Sequence, residues 1–298
     1  MKILYTGSNG LLGQKISAAT PQYPQHEFLA TSRGGNRTHG MGRASYASMD
    51  ITDRDDVMRV VGNFCPDVII HGAAMTHVDQ CELHPEQATL MNVEGTRNMA
   101  EAAQQVGAHL VHISTDFIFD GKDGPYKEEA VPNPVSHYGW TKLEAEGIVK
   151  GLEHYSILRT VLVIGMAEDL SRSNIVLWAK GALEKGDPIS VVDDQFRTPT
   201  LAEDLAQGAL LAADQRAQGI FNISGPDYMS IFELVAQVAE HFGLTMDTVT
   251  RVDSSTLNQP AKRPPITGFD ISKARKELGY APHTFKQALE IIAKQAGL

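Results

Sequence analysis

Tyr138 and Lys142 stand four residues apart in Tyr138-Gly-Trp-Thr-Lys142. On a helix, positions i and i+4 share a face, so phenol and ammonium would enter the same space. A free tyrosine titrates near pH ~10 and is a poor acid or base at neutrality. A nearby cation favours the phenolate and draws that pKa toward the working range. Such a pair can exchange a proton with a carbonyl/alcohol couple. The same spacing also occurs on a solvated helix face, and the pair alone does not separate the two. Upstream, the apolar run His109–Ser114 leads into Thr115-Asp-Phe-Ile-Phe-Asp-Gly121. A buried strand ending in Ser-Thr delivers hydroxyls at its carboxyl edge, where ligands bind in open α/β sheets. Thr115 is therefore expected to hydrogen-bond the carbonyl that Tyr138 protonates.

Something must carry a redox partner to that point. Lys2–Thr6 is a short apolar run that opens into Gly7-Ser8-Asn9-Gly10-Leu11-Leu12-Gly13, and Gln14–Ala19 suits a helix. Strand, glycine turn and helix together form the phosphate-cradling unit of dinucleotide folds. The spacing is Gly-x-x-Gly-x-x-Gly rather than Gly-x-Gly-x-x-Gly. Glu27–Thr31 reads as the second strand. Where an NAD-binding fold would offer a carboxylate to the ribose 2′-hydroxyl, this chain has Ser32-Arg33-Gly34, with Arg37 and Arg43 after it. A guanidinium without a carboxylate suits a 2′-phosphate, so NADPH is expected to bind better than NADH. The alternative is a solvated surface loop.

Ser48–Thr52, containing Asp50 and Ile51, is expected to end a third strand, and Thr52-Asp-Arg-Asp to cap a helix reaching about Phe64. Asp67–His71 is a buried-type strand. It opens into Gly72-Ala73-Ala74-Met75-Thr76, small residues that let a cofactor lie close. Pro85 to about Val106 is helical in pattern, with Asn92 in its middle. Asparagine is a poor helix former there. It is either a surface accident or the holder of a water or backbone group behind the site.

The elements alternate as βαβαβαβαβαβ to about residue 165, which predicts an α/β Rossmann-type fold with a doubly wound parallel sheet. From residue 166 to 298 the texture changes to a smaller C-terminal α/β substrate lobe, from which some strands or helices can return to the first domain. Arg172, Arg197 and Arg263 are its candidates to hold an anionic ligand, each with a surface salt bridge as the alternative. Arg263 beside Lys262 in a Pro-rich stretch is the strongest of them.

The formal net charge of −10 argues against nucleic acid and against an anionic membrane surface. Two cysteines, Cys65 and Cys81, cannot build a disulfide framework, so a reducing cytoplasm is expected. Nothing resembles a signal peptide or a membrane span. Histidines are scattered without His-Glu-x-x-His or Cys/His pairing, so no zinc site is expected.

Taken together, these motifs resemble the extended short-chain dehydrogenase/reductase family over the whole chain. Ser114–Gly121, the pattern Tyr126-x-Glu128-x-x-x-Pro132-x-Pro134-x-x-x-Tyr138-Gly and Asp193–Thr200 look like its dTDP-4-dehydrorhamnose reductase group. That resemblance implies Thr115, Tyr138 and Lys142 as catalytic triad. Hydride would come from NADPH (NADH being possible) and would reach C4 of a nucleotide-linked keto-sugar. Lys142 would also hold the nicotinamide ribose. Around the cofactor it implies Gly7, Ser8, Asn9, Gly10, Leu11, Leu12 and Gly13, then Ser32, Arg33, Asp50 and Ile51. Ala73, Ala74, Met75, Asn92 and Ser114 complete that set. Asp116, Phe117, Arg197 and Arg263 would join Thr115 at the substrate. Those reductases usually carry Tyr where this chain has Phe117. The same motifs are similar to the regulatory β subunit of methionine adenosyltransferase, a non-catalytic NADP-binding partner protein. A further alternative is another nucleotide-sugar epimerase or reductase. The Asp-Glu pair of the dehydratases is incomplete, because Phe117 follows Asp116. A homodimer is compatible with the resemblance.

Overall fold

A computed structural model describes residues 1–168 and 174–297, so the candidate Arg172 lies outside the described residues. Among the described residues, the centre is a seven-stranded parallel sheet whose inner strands are apolar runs. Its strands are β1 (Lys2–Thr6), β2 (Glu27–Ser32), β3 (Ser45–Ser48), β4 (Val68–His71), β5 (His109–Thr115) and β6 (Tyr155–Thr160), plus Gly219–Asn222. Their order is Gly219–Asn222, β6, β5, β4, β1, β2, β3, with every neighbouring pair parallel. Parallel strands covered on both faces must be apolar on both, and the alternation of side chains decides which layer each one joins. Ile3 and Tyr5 of β1, Val68 and Ile70 of β4 and Val111 of β5 share one core. Leu4, Ile69 and Leu110, each one residue out of phase, share the other. The strand order reverses between β1 and β4, and the carboxyl ends there make the crevice in which such sheets hold ligands.

The helices, in order, are α1 (Leu11–Ala19), α2 (Arg54–Phe64), α3 (Val78–Leu83), α4 (Pro85–Thr89), α5 (Gly95–Val106), α6 (His137–Lys150), α7 (Ile175–Lys185), α8 (Ala202–Gln215), α9 (Ile231–Phe242), α10 (Ser272–Leu278) and α11 (Phe285–Gln295). Local chemistry sets several ends. Asp53 accepts from the N–H groups of Asp55 and Asp56 at the start of α2, and Ser230 and Glu233 form a capping box on α9. Each such cap is worth ~1 kcal/mol. A separate apolar cluster, including Val176, Leu183, Leu234, Val238, Leu289 and Ile292, unites α7, α9 and α11 beyond the main sheet.

The strict alternation has an exception. Between β2 and β3 the chain runs through the Gly-rich loop with no helix. β3 also ends at Ser48, so Asp50 and Ile51 follow the strand instead of closing it. The helical stretch from Pro85 is broken at Leu90–Glu94 by a π-helical turn around Asn92. Helix α3 carries no strong periodicity in sequence. The seventh sheet strand, Gly219–Asn222, comes from beyond residue 165, and Leu205, Ala209 and Leu210 of α8 pack in the core with Ile3 and Tyr5.

Candidate active site

The glycine turn at the end of β1 is tight for a steric reason. Gly7 has φ 75°, a left-handed conformation that favours glycine. A Cβ on Gly13 would lie 2.4 Å from both Gly7 O and Ser8 Cα, so only glycine lets α1 close onto the turn. Helix α1 begins at Gly10 with no side-chain cap, which leaves its first N–H groups facing the crevice as an anion seat. The Asn9 amide donates to Gly35 O at 3.0 Å and accepts from Arg37 N at 2.9 Å, clasping the β2–β3 loop to the turn. These features fit a dinucleotide whose pyrophosphate needs backbone donors at close range.

One cleft of about 910 Å³ runs from this turn to α6. Gly7, Asn9, Gly10, Leu11, Leu12 and Gly13 line its floor. Ser32, Arg33, Asp50 and Ile51 line one end, with Arg37 beside them. Ala73, Ala74, Ser114, Thr115, Asp116, Phe117, Tyr138 and Lys142 line the other. Ser8 does not line it: its hydroxyl is fully buried and finds no partner among the described residues. Met75 and Asn92 stand behind the wall. The Asn92 side chain accepts from Met75 N at 2.8 Å and donates to Met75 O and Thr141 Oγ1, so it braces backbone there. That bracing accounts for the π turn, a distortion common at functional sites. Sequence reasoning passed over Leu162 and Val163, which also line the cleft just past the carboxyl end of β6. The strand-end rule that pointed to Thr115 could have found them. Leu162 sits at φ 37°, unusual for a residue with a branched side chain.

Helix α6 delivers Tyr138 and Lys142. Ser136 caps it by accepting from Gly139 N. A Cβ on Gly139 would come 2.2 Å from Phe117 O, so this glycine lets the first turn of α6 rest on the segment after Thr115. The Phe117 ring packs edge-on against Tyr138, with centroids 5.7 Å apart. Thr115 Oγ1 donates to Asp116 Oδ1 at 3.1 Å and accepts from Phe117 N at 3.2 Å.

The electrostatics differ from the simple expectation. The Tyr138 phenol is held above its ordinary pKa, chiefly by burial; the Thr115 hydroxyl opposes that shift and Asp116 adds to it. Lys142 spends its hydrogens elsewhere, donating to Ile113 O at 2.7 Å and meeting His112 Nε2 at 3.2 Å. Burial draws the Lys142 pKa down to about 8, against the pull of Glu146 one turn on. Glu146 is itself buried. It accepts from Ser114 Oγ at 2.7 Å and from Arg159 Nε and Nη2 at 2.9 and 2.8 Å, which hold its carboxyl below the usual range against the cost of burial.

Neither arginine expected at the substrate lines the cleft. Arg197 is buried and donates to the carbonyls of Phe196, Pro264 and Pro265, with its Nε 3.8 Å from Asp116 Oδ2. Its guanidinium is structural mortar here, because proline-rich backbone leaves carbonyls needing donors. Arg263 is engaged by Asp79 of α3 through two contacts, at 2.8 and 3.1 Å. Thr267 donates to Asp116 Oδ2, so that carboxylate links Thr115 to a segment far along the chain. Among the described residues no cluster of His, Cys, Asp or Glu could hold a metal ion, and no helix is long and apolar enough to cross a membrane.

Known proteins are similar to this chain over its length. A sequence profile described as the RmlD substrate binding domain matches residues 1–297. A dTDP-4-dehydrorhamnose reductase of Aggregatibacter actinomycetemcomitans is 32% identical, with 99% of each chain covered. Methionine adenosyltransferase 2 subunit beta of Bos taurus is 30% identical, covering 91% of this chain and 81% of its own. The dTDP-4-dehydrorhamnose reductase of Bacillus anthracis, solved in complex with NADP, superposes with a TM-score of 0.84 at 29% identity, with 99% of each chain covered. The chain belongs to the RmlD substrate binding domain family, within the extended short-chain dehydrogenase/reductases.

Proposed function

We propose that the protein reduces the 4-keto group of a nucleotide-linked deoxy sugar with NADPH, and that dTDP-4-dehydrorhamnose is its substrate. The observation that carries this reading is the convergence of Thr115, Tyr138 and Lys142 on one cleft with the glycine turn. A bound NADPH supplies the hydride. A phenol kept protonated by burial is poised as the acid for the oxygen that becomes a hydroxyl. Lys142 lines the same cleft. While ionised, Asp116 takes the one hydrogen of Thr115, and Phe117 N donates to the same Thr115 oxygen, which fixes that hydroxyl at the cleft. Phe117 and Val78 wall the cleft with apolar surface and limit water near the reacting atoms.

A second reading has its own support. The 30% identity to a methionine adenosyltransferase regulatory subunit, and the engagement of Arg263 by Asp79, suit a cofactor-binding partner protein. The test is isotope transfer. Incubation with NADPH deuterated on the transferring face and dTDP-4-dehydrorhamnose should place deuterium at C4 of the sugar, read by mass spectrometry. Absence of label across a panel of nucleotide 4-keto sugars, with a change in methionine adenosyltransferase activity on mixing, favours the second reading.

A further inference from the structure

Behind the cleft wall, two histidines lie with ring centroids 5.4 Å apart, and the mechanism above uses neither. Their hydrogens can be placed by counting donors. Thr6 Oγ1 accepts from Gly72 N at 3.1 Å and Ala73 N at 3.0 Å, so its own hydrogen goes to His71 Nδ1 at 2.9 Å. Thr96 Oγ1 donates to Asn92 O at 2.7 Å, so it accepts from His71 Nε2 at 3.2 Å. Both contacts demand the same neutral tautomer, with the hydrogen on Nε2. Burial, with Lys142 nearby, keeps His71 in that form by holding its pKa at about 3.

His112 is placed differently. Its Nε2 lies 3.2 Å from Lys142 Nζ, and its Nδ1 is buried without a partner among the described residues. An ammonium is a donor only, so Nε2 must be bare and the hydrogen must sit on Nδ1. An unsatisfied buried N–H is costly, and such exceptions call for a compensating contact. We propose that His112 is a positioning residue for Lys142: its bare Nε2 accepts one ammonium hydrogen, Ile113 O accepts the second, and the third is left for a ligand in the cleft. The contact deepens the reductase reading and rests on it only for its effect on turnover.

The groups that face Lys142 are few. Glu146 follows one turn later on α6, neutralised in part by Arg159 from β6. Tyr138 precedes it by one turn, His112 comes from β5 and His71 from β4. Of these, His112 alone offers a neutral acceptor in hydrogen-bond range. Removing it strips a favourable dipole from the ammonium and should lower the pH at which Lys142 loses its proton.

The test starts with the unaltered protein free of ligands. Ring 15N shifts at neutral pH should show His112 with its hydrogen on Nδ1. They should change with the same midpoint as the Lys142 13Cε resonance, which is identified by its absence in Lys142→Met. A His112 hydrogen on Nε2, or independent midpoints, overturns the proposal whether or not any variant folds. In His112→Phe the Lys142 midpoint should fall by about one pH unit, and His112→Gln, whose amide oxygen can accept, should restore at least about half of that. An unchanged midpoint in the Phe variant, or a Gln variant no better than Phe, also overturns it. If the enzyme reduces a keto-sugar, the alkaline limb of kcat/KM should move in step with the NMR midpoint. A shifted midpoint in a protein that turns over no keto-sugar supports the contact while sinking the reductase reading.

Discussion

Tyr138 needs no lysine-lowered pKa to serve as an acid; burial already keeps its proton on at neutral pH. Tyr138→Phe keeps the ring packed on Phe117 and removes only the donor. The expected result is a kcat lower by about 10²–10⁴-fold with NADPH affinity preserved, read by steady-state rates and cofactor titration. Lys142 carries a folding cost. Its folded pKa of about 8 lies below the 10.5 of a free lysine, so the unfolded chain binds the proton more tightly between those values. The penalty is fully present below pH 8 and is relieved as pH rises from there toward 10.5. Lys142→Met should therefore stabilise the ligand-free protein at pH 7 by about 1–3 kcal/mol in urea unfolding while abolishing turnover. Equal stability at pH 7 would show that the ammonium is better solvated than its surroundings indicate. At the far end of the cleft, Arg33 is largely exposed and approaches Asp50 at 3.9 Å. If it grips the 2′-phosphate, Arg33→Ala should remove about 1–3 kcal/mol of preference for NADPH over NADH. An unchanged preference would transfer that role to Arg37.

At the scale of elements, α6 is held by a buried ion pair as well as by apolar packing. Glu146 joins α6 to β5 through Ser114 and to β6 through Arg159. Glu146→Leu leaves the Arg159 guanidinium buried and unpaired, and should cost about 3–5 kcal/mol. The double variant Glu146→Leu/Arg159→Met should recover most of that loss, since an apolar pair has no charge to strand. Denaturant unfolding of the three variants measures it, and a double variant as weak as the single one would contradict the account. Much at this scale was legible in the sequence. The runs Lys2–Thr6, Asp67–His71 and His109–Ser114 are short and largely apolar on both faces, and their alternation with helical stretches marks them as covered parallel strands. The exceptions are physical. The β2–β3 connection lacks a helix because its glycines and arginines have no apolar stripe to bury. The π turn at Asn92 exists because a tertiary hydrogen bond to Met75 outweighs local helical geometry. Periodicity cannot register either.

At the scale of the molecule, residues beyond 165 reach the site through backbone and through charge. Asp116 lies beside Thr115 and is tied to Thr267 and Arg197, both from beyond residue 165. The partners of Arg197 and Arg263 were invisible in the sequence, because Asp116 is 81 positions from one and Asp79 is 184 from the other. Residue type alone suggested three candidate anion clamps, Arg172, Arg197 and Arg263; the two that lie among the described residues, Arg197 and Arg263, are engaged by the protein itself. Among the described residues, Arg263 keeps only Asp79 and the Ala261 carbonyl as hydrogen-bond partners, and a diphosphate could take it over from Asp79. On that view Arg263→Ala should raise KM for the sugar nucleotide more than it lowers kcat, with NADPH affinity unchanged. A fall in kcat at constant KM would assign Arg263 a purely structural part.

The most direct measurement follows NADPH absorbance in purified protein with and without dTDP-4-dehydrorhamnose, beside Tyr138→Phe. NADPH should be consumed only when the keto-sugar is present, and only by the protein that keeps the phenol. Tight NADPH binding with no consumption, or equal consumption by the Phe variant, would contradict the assignment of Tyr138 as the acid of a keto-sugar reductase.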